Sequence, residues 1–170
     1  MPIADYLKPS GVRRFKGQAG WLYRSLGSIH VARAPVKGVD SHLWALLKLA
    51  VDALKIDLNI SSIDTGQHAT NSRHYDGRAV DISRVGEAGK VWRPATLLNS
   101  DAVRLVQWLL KQGVKVGEGR PQPALLFGPV GHKWNSSRVP HSDHIHLSLP
   151  RLPSEGEAPG DASPEPEDDV

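Results

Sequence analysis

A chain of 170 residues with 39% hydrophobic and 23% charged positions has the composition of one folded domain and not of a disordered chain. Zero cysteines exclude disulfides, thiolate zinc sites, iron–sulfur clusters and a cysteine nucleophile together. The net charge of +3 is unevenly placed, because residues 1–150 hold 20 Lys and Arg against 11 Asp and Glu, whereas residues 151–170 hold one Arg against seven acids.

The basic part predicts an anionic partner, and nucleic acid and bacterial cell wall both qualify on charge. A membrane span is excluded: the longest apolar run, Leu43 to Leu54, is broken by Lys48 and Asp52, well short of the roughly 18 apolar residues a span requires. The opening Met-Pro-Ile-Ala-Asp-Tyr-Leu-Lys-Pro lacks the basic region, apolar core and small-residue cleavage site of a secretory signal. Synthesis in a cytoplasm is therefore the expectation.

Residues 1–20 show no clear periodicity and read as an irregular lead-in. Alternation from Trp21 to Ala34 predicts a hairpin around Gly27-Ser28. A helix capped by Asp40 or Ser41 follows, with Leu43, Leu46, Leu47, Ala50, Val51 and Leu54 forming one apolar stripe. Leu58 to Asp64 reads as a strand and 65–77 as a polar loop. In Ala79-Val-Asp-Ile-Ser83, Val80 and Ile82 face one way, and Asp81 faces the other with Ala79 and Ser83. A second helix is expected from about Ser100 to Gln112, capped by Asn99 or Ser100, apolar at Val103, Val106, Leu109 and Leu110, and stopped by Gly113. Pro123 to Phe127 and His144 to Leu149 are the last strands. The loop between them carries Trp134, which of the five tryptophans has the best claim to line a groove. Strands and helices do not alternate strictly, so the fold class is α+β, with a mainly antiparallel sheet flanked by helices. Pro153 to Val170 is too poor in apolar residues to offset its ordering entropy and reads as a disordered acidic tail.

The chemistry concentrates in the histidines. Of eight, His141, His144 and His146 fall within six residues. On an alternating strand His144 and His146 share a face, with Cα atoms roughly 6.5–7 Å apart, and Ile145 and Leu147 fill the core. Two imidazoles so placed suit a metal, or one can bind while the other works on substrate. Further ligands are available from His74, at the lip of the loop, and Asp81, because Gly77 permits a sharp turn that brings loop and strand together. A His2Asp set leaves a fourth position open for water, whose pKa zinc lowers to roughly 7. Without thiolates, imidazole and carboxylate favour zinc. His30, His42 and His132 read as structural or solvated.

These residues resemble the LAS metallopeptidases, the group that includes lysostaphin-type enzymes, zinc D-Ala-D-Ala carboxypeptidases and murein endopeptidases. Their motif Ser-x-His-x-x-Gly-x-Ala-x-Asp stands here as Ser72, His74, Gly77, Ala79 and Asp81, and their later His-x-His as His144 and His146. The resemblance implies that residues 1–150 form a zinc peptidase-like domain holding one zinc ion through His74, Asp81 and His146. It places His144 beside the metal to stabilise the tetrahedral intermediate, and His141 as an additional active-site histidine. One branch of the family carries a Glu three residues before the position of His144, where this chain has His141. A histidine can take the proton instead. Asp143, expected beside the odd-numbered core positions, is the weaker candidate. Gln67 and His68, with Ser72 and Arg73, are the expected substrate contacts. The implied activity is hydrolysis of peptidoglycan peptides next to D-amino acids, as endopeptidase or carboxypeptidase. Anionic wall polymers are added partners, nucleic acid is disfavoured, and release of the phage-lysin kind or carriage in a virion gives access to the wall.

Two other classes remain open on the sequence. A two-histidine phosphoesterase acting on RNA or cyclic phosphates would use His68-Ala-Thr70 and His146-Leu-Ser148, but leaves His74, Asp81 and His144 without roles. A zinc-holding wall-binding or virion-structural module would keep the site and lack turnover.

Overall fold

The computed structural model describes residues 3–65, 74, 77–117 and 122–150; the acidic segment 151–170 lies outside them. In chain order the elements are α1 (Ile3–Tyr6), β1 (Arg13–Arg14), β2 (Gly20–Arg24), β3 (Ser28–Val31), β4 (Val39–Asp40), α2 (Ser41–Leu54), β5 (Ile56–Ser62), β6 (Ala79–Glu87), β7 (Arg93–Pro94), α3 (Ser100–Lys111), β8 (Lys115–Val116), β9 (Ala124–Gly128) and β10 (His141–Ser148). The α+β reading is borne out, and the lead-in contains one helical turn and a strand that pairs with β4.

The main sheet runs β2-β3-β5-β6-β10-β9-β8, with β7 beside β6. It is mixed: β3 and β5 pair in parallel, as do β8 and β9, and the rest are antiparallel. Parallel neighbours need a crossover, and α2 supplies the one between β3 and β5.

Both long helices begin where the sequence places them. The Asp40 carboxylate accepts the backbone N–H of His42 at 2.9 Å and so caps α2. Asn99 Oδ1 does the same for Asp101 at 3.1 Å, while its Nδ2 donates to the Val85 carbonyl at 2.9 Å and pins α3 to β6. On α2 the expected stripe from Leu43 to Val51 is buried, with Leu54 partly so. On α3 the buried face is Ala102, Leu105, Val106 and Leu109, and the expected Val103 and Leu110 are only partly buried. Their positions sit on the flank of the stripe, one residue round from its centre.

The core lies on the helix side of the sheet, where Ile29, Leu58, Ile60, Val80, Ile82, Val85, Ile145 and Leu147 meet α2 and α3. Asp81 and His146, paired directly across β6 and β10, therefore point to the other face. Among the described residues no helix is long and apolar enough to cross a membrane.

Candidate metal centre

Three elements converge on the face away from the helices. β6 contributes Asp81, β10 contributes His146, and the turn before β6 contributes His74. That turn depends on Gly77, whose φ is +69° and whose position leaves no room for a side chain, since a Cβ would lie 2.1 Å from the Gly38 carbonyl oxygen. The Gly77 carbonyl in turn accepts Asp40 N–H at 2.8 Å. Gly77 is thereby fixed to the cap residue of α2.

His74 Nδ1 donates to the Ile63 carbonyl at 2.8 Å. A carbonyl can only accept, so in the neutral ring the lone pair is on Nε2 and faces the cluster. His74 Nε2 lies 3.3 Å from Asp81 Oδ1 and 3.3 Å from His146 Nδ1, and His146 Nδ1 lies 3.2 Å from Asp81 Oδ1. Donors about 2.0–2.1 Å from a tetrahedral ion stand about 3.3 Å apart. The three atoms form one face of such a tetrahedron. All three residues are buried, and together they can hold a metal ion.

Burial by itself raises the Asp81 carboxyl pKa, but hydrogen bonds to His146 and His74 and their attraction outweigh it. The result lies below the usual carboxylate range. Asp81 is therefore ionised at neutral pH, as a ligand must be.

His144 and His141 border this triangle. His144 Nε2 is 3.9 Å from Asp81 Oδ1, and its Nδ1 bonds the Asp143 carboxylate at 2.8 Å. His141 is fully buried, with its ring 5.1 Å from that of His144 and 6.0 Å from that of His146. Its Nδ1 donates to the Val139 carbonyl at 2.9 Å. Among the described residues its Nε2 has no hydrogen-bond partner. Burial, then repulsion from His146 and His144, pushes its pKa down to about 4. His141 is neutral at pH 7, with its lone pair on Nε2.

His141 reaches this face through a break in the ladder. β10 pairs His141 with Gly128 and His146 with Leu126 on β9, so five steps on one strand match two on the other. The surplus of three residues reverses the alternation, and His141 joins His146 instead of opposing it. The same irregularity corrects the expected orientation of Asp143. It points outward, with its side chain 83% exposed, and bonds His144.

The loop before β10 is held by a residue that pattern reading passed over. Buried Asn135 donates from Nδ2 to the Gly128 and Val139 carbonyls, each at 2.9 Å, and accepts from Ser137 N–H at 3.0 Å. Asn135 thus positions the carbonyl that sets the His141 tautomer. The signal was present in Asn135-Ser-Ser137, a turn-forming run. Trp134 does not line a groove: it is buried and stacks on Phe127 with centroids 6.3 Å apart.

Gln67, His68, Thr70, Ser72 and Arg73 lie outside the described residues. Ser148, the other half of the phosphoesterase pattern, is buried opposite Ala79 and Ala124. His30 bonds Asn59, His42 bonds the Lys8 carbonyl, and His132 accepts from Trp134 N–H. Set against known protein families, characterised proteins and solved structures, the chain matches none of them.

Proposed function

We propose that this protein is a zinc-dependent peptidase that hydrolyses peptidoglycan peptides next to D-amino acids. The observation that carries the reading is the His74, Asp81, His146 triangle with edges of 3.2–3.3 Å, bordered by two further histidines. Zinc is favoured over harder cations because two of the three donors are imidazoles. The ordered match of Ser72, His74, Gly77, Ala79, Asp81, His144 and His146 to the LAS motifs supplies the substrate class.

When bound, the ion supplies an activated water and polarises the scissile carbonyl. His141, neutral and with no hydrogen-bond partner for Nε2 among the described residues, accepts the proton of the attacking water. His144 stands next to Asp81, and a protonated His144 has Asp143 as its counterion. It holds the oxyanion through Nε2. Proton transfer from His141 to the departing amine completes the cleavage. The basic domain also favours anionic wall polymers, and salt weakens that attraction.

The test is mass spectrometry of purified peptidoglycan fragments incubated with zinc-loaded protein, beside a chelated sample. New chelator-sensitive peptide products name the bond and establish the activity. A protein that holds about one zinc per chain and leaves every fragment intact is a metal-holding module, and the peptidase reading falls.

A further inference from the structure

The open face of the sheet carries a second group of side chains, at the end away from the histidines. Trp21 of β2 is 41% exposed and stacks on Trp92 with centroids 5.1 Å apart. The ring of His30 meets the edges of both, at 5.1 and 5.7 Å. The Arg24 guanidinium lies 4.4 Å over the Trp21 ring. It reaches that side because the pairing slips between Trp21 and Tyr23, where β2 spends two steps against one from His30 to Ile29. Aromatic surface set among polar neighbours is a composition that ligand sites use.

A polar row leads from this cluster to the metal centre. His30 Nδ1 bonds Asn59 Oδ1 at 2.7 Å, and Asn59 Nδ2 donates to Ser83 Oγ at 2.9 Å. Ser83 stands two residues from Asp81 on β6. Cluster and metal centre are thus the two ends of one surface, about 16 Å apart across three strand spacings and two residues along β6.

We propose that Trp21, Trp92, His30 and Arg24 form a saccharide subsite for the glycan strand that bears the cleaved peptide. This rests on the peptidase reading above. A pyranose ring offers a C–H face that lies on indole and an edge of hydroxyl and amide groups that needs donors and acceptors. The cluster presents both, through the Trp21 and Trp92 rings and the polar atoms of Arg24, His30 and Asn59. A peptide of about five residues, fully extended, spans at most about 18 Å. A scissile bond at the metal and a sugar on the tryptophans are therefore compatible. Single-stranded nucleic acid also stacks on aromatic rings, but a phosphodiester backbone asks for cations along its whole path, and on the way to the metal centre Arg84, the strand partner of Asn59, stands beside neutral Asn59 and Ser83.

The experiment titrates the full chain with an N-acetylglucosamine tetramer by tryptophan fluorescence, and compares kcat/KM on a disaccharide-linked muropeptide with that on the free stem peptide. We expect the tetramer to change the fluorescence of the wild type. Binding should weaken about tenfold in Trp21→Ala and measurably in Arg24→Gln, with the melting temperature lowered by no more than a few degrees. In Trp21→Ala, kcat/KM should fall about tenfold on the muropeptide and stay level on the free peptide. An unresponsive wild type, equal losses on both substrates, or stronger binding of a thymidine oligonucleotide than of the tetramer overturns the subsite. Cleavage without saccharide binding removes the subsite and leaves the peptidase. Saccharide binding without any cleavage removes the peptidase and leaves a saccharide site.

Discussion

The two ends of the open sheet face are built on opposite terms. At the β6/β10 end, four histidines and Asp81 are buried and fixed by backbone carbonyls and carboxylates. At the β2/β3 end, aromatic rings stand partly in solvent with one polar row behind them. Buried charge must be satisfied to be tolerated, so the first end is rigid and intolerant of change. Exposed rings cost the fold little when altered. One end is suited to chemistry and the other to contact.

Breaking the buried end should give the largest effects. Asp81→Ala or His146→Ala should abolish both zinc retention, read by elemental analysis of the purified protein, and turnover. His144→Ala should keep the zinc and lower kcat about 10²–10³-fold, the usual loss for one group that holds a developing oxyanion. Full activity in that variant would remove its role.

Asn135 tests whether the rigidity is local. Asn135→Ala leaves the Gly128 and Val139 carbonyls without their amide donor and should cost about 2 kcal/mol in urea unfolding. It should also lower kcat more than it raises KM, because His141 loses its fixed carbonyl. A shift in stability with no change in kcat would make Asn135 a purely architectural residue.

His141 gives a pH signature. In chelated protein its pKa falls from 6.5 in the unfolded chain to about 4 in the folded one, so between those values the unfolded chain binds more protons. Its contribution to stability is fully present above about 6.5 and is lost as pH falls to about 4. Urea melts at pH 7 and 4.5 should show that loss in the wild type, and a smaller one in His141→Gln. The smallest effect belongs to the other end, where Trp21→Ala should change stability by under about 1 kcal/mol. A larger loss would mean that the platform is part of the fold.

What the sequence made legible was whatever depends on short-range periodicity. The caps at Asp40 and Asn99, the inward Val80 and Ile82 and the outward Asp81 follow from helical and strand repeats, and the structure reproduces them. The ring of ligand candidates was legible because Asp81 and His146 carry opposite halves of one site on two strands that pair in regular register with each other at that point. Alternation fails where the ladder slips. The irregularity in β10 put His141 inside and Asp143 outside, and the one in β2 brought Arg24 over Trp21. No residue pattern marks these slips, since they are settled by how a strand fits its neighbour. The parallel pairing of β3 with β5 was hidden for the same reason.

His74 and His146 are 72 positions apart, and the chain has no cysteine with which to tie such distant parts together. An ion held between them would serve as that tie, a reversible cross-link closing most of the middle of the chain into one loop. By the loop-entropy relation used for disulfides, closure of that length removes about 4 kcal/mol of freedom from the unfolded ensemble. Unfolding would then have to wait on release of the ion. The endurance of the loaded protein would be set by the local availability of metal, so an environment that strips the ion would loosen the molecule as well as silence it.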